Sequence, residues 1–344
     1  MRKSIGIIIL LILTMSAFVM APENSRAGEG PIELTYANFT PPSTFICIQM
    51  ERWKKEVEKR TGGKVLIKTF PGGTLLGAKN MMDGVIAGQA DIGNLCMAYQ
   101  PGRFVLTNAL GLPFDFPNAE VASLVLWDLF NKYQGTVDKS FDKVKVLTLF
   151  SNAPANLMTT FPCQKIEDLK GKAVRASGMA GRVVNAWGGN FVGMPASGVP
   201  EALQKGVIKG NYSSLDTMLD LRNAEYCKFV TMTQRVVYPF AVVMNKAKWN
   251  SLPADVKKVM DDMALEQCRW TGQYMDSHVK KAMKWSVEDQ GVKVFQLTPE
   301  QHAAWDELLK PIFADWKKDV EGKGLPVEEV LAFIKTSIKK HTKK

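Results

Sequence analysis

An arginine in the segment 169–178 (LKGKAVRASG) is the residue whose type and position most directly suggest chemistry. Arg175 ends a short run of strand-forming residues, and a glycine follows shortly after it. A guanidinium presents a planar fork of N–H donors that matches a carboxylate, so Arg175 in a cleft could orient and select an organic acid. A solvated surface ion pair is the alternative, and this segment alone leaves both interpretations open.

The residue types favour binding over catalysis. The chain has only three histidines, His278, His302 and His341, and none is placed near a cysteine in sequence. The sequence contains no Gly-x-Ser-x-Gly elbow, no His-Glu-x-x-His string and no phosphate-binding glycine-rich loop. We therefore expect a protein that is not an enzyme and needs no cofactor or metal. An exported hydrolase is the alternative from another class.

The amino terminus has the pattern of a secretory signal peptide. Two basic residues precede an apolar run at 5–20 and a polar stretch, so we expect residues 1–27 to be cleaved after export to the periplasm. Cleavage after Ala21 and a retained anchor are the alternatives. About 317 residues with a formal net charge of about +8 would remain. The lysines are scattered except at 339–344, which we expect to be a solvated, disordered tail, and no nucleic-acid partner is expected.

Cysteine count and spacing leave the redox state partly open. The five cysteines are an odd number without a paired motif, so at least one must be free and the state of the others is undetermined. They are Cys47, Cys96, Cys163, Cys227 and Cys268.

Short β-like runs alternate with helical patterns, which predicts an α/β fold with largely parallel strands. Ligands of such folds bind at the carboxyl ends of the strands. The predicted strands are 32–39, 65–70, 90–95, 144–150, 157–161, 172–176, 190–194 and 207–213. The predicted helices are 44–60, 78–88, a helix ending near Trp187, 199–205 and 253–290.

Two changes along the chain predict two lobes. The segments Ser151–Asn156 and Tyr238–Asn245 read as crossings between them, with a ligand cleft in between. The helix at 253–290 would reach about 57 Å if unbroken and so would bridge both lobes; a break at Gly272 is the alternative. The predicted parts are lobe 1 (28–152 plus 241–270), lobe 2 (153–240 plus 271–310), and C-terminal helices with a basic tail (311–344).

Five strings occur in an order that resembles the solute-binding proteins of tripartite ATP-independent periplasmic (TRAP) transporters, the DctP-type family. They are FPGGTLLG (70–77), GVIAGQADIG (84–93), IEDLKGKAVRASG (166–178), PEALQKGVIKGNYSSLDTM (200–218) and VVMNKAKWNSLPADVKKVM (242–260). The resemblance implies an α/β fold of the type II periplasmic-binding-protein kind, with mixed or parallel sheets, hinge crossings and a long bridging helix. It further implies that Arg175 grips a ligand carboxylate and that the closed protein docks on TRAP membrane subunits.

Several positions depart from the pattern that the resemblance implies for sugar-acid binders. Ala155-Asn156 stands where a second arginine is often found, and Ser213 stands where an asparagine touches the ligand. Phe39, Cys96 and Ala196 likewise offer few partners for hydroxyl groups. Because buried hydroxyls need hydrogen-bond partners, we expect an acid with an aromatic or hydrophobic body. A C4-dicarboxylate or a sugar acid is the alternative.

These considerations give a set of candidate ligand-binding residues in a protein that we expect to be a monomer. For each residue other than Arg175, core packing is the alternative. The candidates are Arg175, Phe39, Cys96, Met97, Asn156, Ala196, Ser213, Tyr212, Tyr238 and Trp187, with Tyr36 and Phe240 as further ones.

Overall fold

The computed structural model describes residues 30–135 and 139–343, so the predicted signal peptide at 1–27 lies outside the described residues. Within these ranges the chain forms an α/β protein with eleven strands and eleven α-helices. None of these helices combines the length and the apolar character that a membrane span requires.

The strands are β1 (Ile32–Ala37), β2 (Val65–Phe70), β3 (Ile92–Cys96), β4 (Val144–Ser151), β5 (Ala155–Thr159), β6 (Ala173–Ala176), β7 (Asn190–Gly193), β8 (Gly210–Ser213), β9 (Phe229–Arg235), β10 (Pro239–Asn245) and β11 (Lys293–Gln296). The helices are α1 (Phe45–Arg60), α2 (Met81–Ile86), α3 (Ala119–Tyr133), α4 (Met179–Ala186), α5 (Val199–Gln204), α6 (Asp216–Asp220), α7 (Lys246–Ser251), α8 (Ala254–Glu288), α9 (Pro299–Glu307), α10 (Lys310–Val320) and α11 (Val327–Thr342).

The strands form two separate mixed sheets. The first has the order β2-β1-β3-β10-β4 and the second the order β11-β9-β5-β8-β6-β7. In the first sheet, β1 runs parallel to β2 and β3, whereas β10 is antiparallel to β3 and β4. Strand β10 re-enters this sheet from the end at which β4 leaves it, so it must run in the opposite direction. The crossings therefore make the sheets mixed where the alternating pattern predicted largely parallel strands.

The chain passes between the sheets at two short connections. The first, between β4 and β5, lies within the predicted segment Ser151–Asn156. The second occupies residues 236–238, before most of the predicted segment, because residues 239–245 are strand β10. At this second connection Val236 has a left-handed backbone with φ 65°, which a β-branched residue rarely adopts. Its carbonyl accepts a hydrogen bond from Ala155 N at 2.8 Å, which ties the two connections together.

Several predicted boundaries differ from the structure, and some elements, helix α3 among them, were not predicted. Strand β8 begins at Gly210 because the amides of Val207 and Ile208 still donate to Ala202 O and close the end of α5. Strand β5 begins at Ala155, two residues earlier than predicted. Helix α3 was not predicted: it is buried around much of its surface, so its apolar residues do not show the one-sided period of a surface helix.

Helix α8 is continuous for 35 residues, about 52 Å, so the alternative of a break at Gly272 is wrong. It packs on α1, α3 and β4 of the first-sheet region and on α6 of the second. A Cβ atom on Gly272 would lie 2.5 Å from Glu120 Cα, so this glycine permits the close crossing of α3 and α8. One turn further on, Asp276 accepts hydrogen bonds from the backbone amides of Ala119 and Glu120 at 2.7 and 3.1 Å.

The carboxyl-terminal lysines are helical through Thr342, so the prediction of a disordered tail is wrong for residues 339–342. Asp128 on α3 explains the order, because its Oδ2 atom lies 2.9 Å from both Lys340 Nζ and His341 Nε2. Ser337 Oγ donates to the same oxygen at 3.1 Å.

All five cysteines are buried free thiols. Burial raises the pKa of Cys163 and of Cys227 to about 12, which keeps both in the unreactive thiol form. Cys163 and Cys227 act as small core residues.

Replacement of Gly272 by alanine tests the helix crossing. Alanine favours an isolated helix by about 1 kcal/mol, but overpacking here should lower the free energy of unfolding by about 1–3 kcal/mol. Chemical denaturation measures the difference, and the exposed Lys280→Ala change on the same helix should stay within about 0.5 kcal/mol of the wild type. A stabilised Gly272→Ala protein would contradict the close approach.

Candidate ligand-binding site

A pocket lies between the two sheets; the space free of protein atoms is about 400 Å³ when the open solvent at its mouth is included. Its walls follow the carboxyl ends of β1, β3, β4, β6 and β8, as expected for an α/β fold. The first-sheet side contributes Phe39, Phe45, Ile46, Cys96, Tyr99, Asn152 and Phe240; the second contributes Arg175, Ala196, Ser213, Ser214, Asp216, Thr217 and Tyr238.

Arg175 is held at this pocket by neutral groups of the second sheet. Its side chain is only 2% exposed. The Nε and Nη2 atoms donate to Met194 O at 2.9 and 2.8 Å, while Nη2 also donates to Ser177 Oγ at 3.0 Å. Nη1 donates to Asn211 Oδ1 at 3.3 Å, across the β6–β8 pairing. Arg175 is thus oriented by four hydrogen bonds before any ligand is considered.

No carboxylate in the described part of the chain lies within ion-pairing distance of Arg175. The alternative of a solvated surface ion pair is therefore wrong. A buried cation without an opposite charge is unfavourable, and a bound anion would remove that penalty.

The groups around Arg175 are uncharged. Tyr99 Oη accepts a hydrogen bond from Ala196 N at 3.0 Å, and Tyr238 Oη donates to Tyr212 O at 2.8 Å. Burial raises the pKa of Tyr99 and of Cys96 to about 12, against the opposing influence of the Arg175 charge. An anion at Arg175 would therefore meet no negative charge from these neighbours.

Aromatic side chains make the walls apolar and rigid. Phe39 packs edge-on against Tyr99 with ring centroids 5.7 Å apart, and Phe45 packs edge-on against Phe240 at 6.1 Å. Phe240 in turn stacks on Phe150 at 5.2 Å with an interplanar angle of 7°. These contacts fix ring faces that suit a flat hydrophobic ligand body.

A buried carboxyl group, Asp216, also lines the pocket. Ser214 Oγ donates to its Oδ1 atom. Burial, followed by the negative charge of Asp220, raises the pKa of Asp216 to about 7. Asp220 itself lies 2.6 Å from His278 Nε2 and accepts a hydrogen bond from Phe45 N at 3.0 Å, so it is already paired.

Four of the ten candidates lie behind the pocket wall: Met97, Asn156, Trp187 and Tyr212. Asn156 Oδ1 accepts from the amides of Thr233 and Gln234 at 2.9 and 3.0 Å, so its side chain stabilises the sheet crossing. Trp187 Nε1 donates to Trp305 O at 3.1 Å, and its ring packs against Tyr212. Met97 is fully buried and accepts from Thr107 Oγ1. A ligand contact of these four is a prediction without support from the pocket geometry.

The other six candidates, together with Phe240, line the pocket, whereas Tyr36 bonds to Gln49 away from it. Sequence reasoning missed Phe45, Ile46, Tyr99, Asn152, Ser214, Asp216 and Thr217. The rule that ligand residues follow strand ends could have found several of them, because Asn152 directly follows β4 and Ser214 directly follows β8.

A larger surface depression, with about 1310 Å³ free of protein atoms, lies beside Trp127 and Trp249. Its charged groups are already satisfied by the protein: Lys145 Nζ lies 2.7 Å from Asp261 Oδ1, and Lys246 Nζ donates to Asp142 O at 3.0 Å. Size alone therefore does not make it the better candidate.

Two mixed sheets joined by two crossings and a long helix, with a buried cation in the pocket between them, define a two-lobed binding protein of the type II periplasmic kind. Residues 36–319 match the family described as "DctP: Bacterial extracellular solute-binding protein, family 7". The chain belongs to this family, whose members are periplasmic solute-binding proteins.

Three proteins of known name or structure are similar to this chain over most of its length. One is a TRAP periplasmic solute-binding protein from Desulfovibrio salexigens, which is 48% identical to this chain. The match covers 90% of this chain and 97% of that one, with a TM-score of 0.81. That protein was crystallised in an open form, with the C-terminus of a symmetry mate in its ligand-binding site. A marine metagenome TRAP solute-binding protein specific for aromatic acid ligands, in complex with metahydroxyphenylacetate, is 28% identical over 90% of this chain and 99% of that one, with a TM-score of 0.85. The C4-dicarboxylate-binding periplasmic protein DctP of Rhodobacter capsulatus is 24% identical over 82% of this chain and 85% of its own.

The raised pKa of Asp216 predicts a pH-dependent effect of Asp216→Asn on stability. Because the folded-state pKa lies above the usual value of 3.8, ionisation of Asp216 opposes folding. This penalty is absent below pH 4 and complete above pH 7. Without ligand, the asparagine variant should have a higher free energy of unfolding than the wild type at pH 8 and differ little from it at pH 4.

Denaturant titrations at both pH values measure this difference. The exposed Asp289→Asn change at the end of α8 is the control and should behave alike at both. Equal effects of Asp216→Asn at pH 4 and pH 8 would show that its pKa is not raised.

Proposed function

We propose that this protein captures an organic acid with an aromatic or otherwise hydrophobic body and delivers it to a TRAP membrane transporter. The observation that carries the proposal is the buried, pre-oriented Arg175, which no carboxylate of the described chain neutralises and which faces an aromatic pocket. Arg175 binds the ligand carboxylate, while Phe39, Phe45 and Phe240 contact the ligand body.

Two of the similar proteins support this ligand class. The one from Desulfovibrio salexigens holds a chain terminus, which carries a carboxylate, in its binding site. The marine metagenome protein is specific for aromatic acids. In this chain the same chemistry would place the carboxylate at Arg175 and a ring between the phenylalanine faces.

A C4-dicarboxylate is the second candidate because the Rhodobacter capsulatus relative bears that name. Two carboxylates in a buried site need two cationic or strongly donating partners. Among the residues lining the pocket Arg175 is the only cation, and the further ionisable group, Asp216, would repel a second carboxylate. The wall therefore favours a monocarboxylate over a dicarboxylate.

Delivery requires the lobes to close over the ligand. We infer that they comprise 28–152 with 241–270 and 153–240 with 271–310, and that the two crossings act as hinges. Contacts across the cleft, such as Tyr99 Oη with Ala196 N, hold the closed state. A ligand adds contacts that exist only there and so shifts the population toward it.

The remaining parts of the proposal concern the cellular context. The protein is exported by cleavage after residue 27 and acts as a periplasmic monomer. It presents its closed form to the TRAP membrane subunits without catalysis, metal or cofactor. Within the described residues, no group of three or more His, Cys, Asp or Glu side chains is arranged to hold a metal ion.

The ligand class is tested by mass spectrometry of small molecules released from freshly purified protein, together with thermal shifts for a panel of acids. Aryl, indolyl or branched monocarboxylates should raise the melting temperature, because they fill the aromatic pocket and neutralise Arg175. Stabilisation by C4-dicarboxylates or uronates, with none by the aryl and indolyl acids, would refute the proposed ligand class.

Replacement of Arg175 by alanine tests the carboxylate clamp. Removal of one partner of a buried ion pair costs about 3–5 kcal/mol, so affinity for the released acid should fall by about two to four decades. Calorimetric titration measures the affinity, and circular dichroism checks the fold. Arg269→Ala removes an exposed arginine and should bind like the wild type. If folded Arg175→Ala protein kept its affinity, the clamp would be excluded.

A further inference from the structure

Asp216 is the only carboxyl group among the residues that line the pocket. It is 4% exposed and lies three residues beyond β8. Within the described chain, Ser214 is the only side chain hydrogen-bonded to it, and that bond reaches Oδ1. No described cation pairs with Asp216, which leaves Oδ2 available to the pocket.

Asp216 and Arg175 occupy separate parts of the pocket wall. No ion pair joins them, and Arg175 acts electrostatically on Cys96, Tyr99 and Tyr238. The charged groups that act on Asp216 are Asp220 and His278. The pocket therefore has a cationic region at Arg175 and an acidic region at Asp216, and the rest of its wall consists of aromatic rings and uncharged polar or aliphatic side chains.

Asp220, the neighbouring carboxyl group, is not available to accept a hydrogen bond from a ligand. Asp220 lies against His278 on α8 and accepts the amide of Phe45, so both of its oxygens are engaged. Its charge makes ionisation of Asp216 harder without offering Asp216 a hydrogen-bond donor. No side chain of the described residues supplies a hydrogen-bond donor to Oδ2, and a ligand could supply one.

We propose that Asp216 selects the ligand by accepting a hydrogen bond from a hydroxyl or N–H group that the bound acid carries away from its carboxylate. This inference rests on the proposed function, and it narrows the ligand class to hydroxyaryl or indolyl acids. A carboxyl group accepts such a bond in either protonation state, so the selection does not depend on the ionisation of Asp216. An acid without the donor would leave a buried polar oxygen unsatisfied.

Matched ligand pairs test the selection in the mature wild-type protein. Dissociation constants would be measured by calorimetry for benzoate against 3- and 4-hydroxybenzoate, and for phenylacetate against 3- and 4-hydroxyphenylacetate. A hydrogen bond to a buried, charged or chargeable group corresponds to about a tenfold to hundredfold change in affinity. At least one hydroxy acid should exceed its parent by that factor.

Variants assign the preference to Asp216. In Asp216→Ala the preference for the hydroxy acid should fall to about twofold or less, while the parent acid keeps most of its affinity. Asp216→Asn retains an acceptor oxygen, so its preference for the hydroxy acid should lie between those of the wild type and Asp216→Ala. This variant keeps the test valid if Asp216→Ala does not fold. Asp289→Ala, an exposed control, should keep the wild-type preference. Arg175→Ala should weaken both members of a pair alike.

The outcomes separate this inference from the proposed function. Equal binding of parent and hydroxy acids by the wild type, or an unchanged preference in both Asp216 variants, would overturn the role of Asp216 while acid binding stood. If 4-(aminomethyl)benzoate bound more tightly than every hydroxy acid, the preferred partner of Asp216 would be a ligand ammonium group. The proposed hydrogen bond from an uncharged donor would then be wrong. Failure of every acid to bind would remove the proposed function itself.

Discussion

The buried guanidinium of Arg175 is the constraint on which the rest of the site depends. Strand β6 lies between β7 and β8, so acceptors from Met194 and Asn211 reach the guanidinium from both sides. These acceptors are neutral: they fix the orientation of the fork and leave its charge uncompensated. A site organised in this way is selective for an anion before any part of the ligand body is considered.

Closure of the cleft and neutralisation of Arg175 are physically coupled. Removing water from a cation is unfavourable, so an anion that replaced this water would stabilise the closed arrangement. The approach of the two sides is close: a Cβ atom on Gly178 would lie 3.1 Å from Ala98 Cβ and 3.2 Å from Ala98 O. Glycine three residues after Arg175 therefore lets the strand that carries the cation meet the opposite wall.

The sequence predicted the α/β class, the crossing after β4 and the place of Arg175, because strand patterns, turn residues and a charged residue at a strand end are local signals. It could not separate Trp187 and Tyr212, which lie outside the pocket lining, from the residues that line it, because aromatic residues have the same local pattern whether they face a core or a ligand. It left open whether the long helix breaks at Gly272, because the reason for that glycine is the backbone of α3, about 150 residues away. It overlooked Asp216, because burial and the nearby Asp220 are properties of the folded chain.

Asp216 illustrates why a binding pocket departs from the rules of a stable core. A carboxyl group beside another acid, among aromatic rings, is unfavourable for folding, and an apolar residue of similar size would pack there without that penalty. The close contact of His278 is with Asp220, and its charge favours an ionised Asp216 less than burial and Asp220 oppose it. The remaining unfavourable energy is relieved when a ligand satisfies the carboxyl group. Like Arg175, Asp216 thus makes the protein less stable alone than with its ligand. A ligand that satisfies both groups therefore stabilises the protein more than one that does not, and this difference is the selectivity of the site.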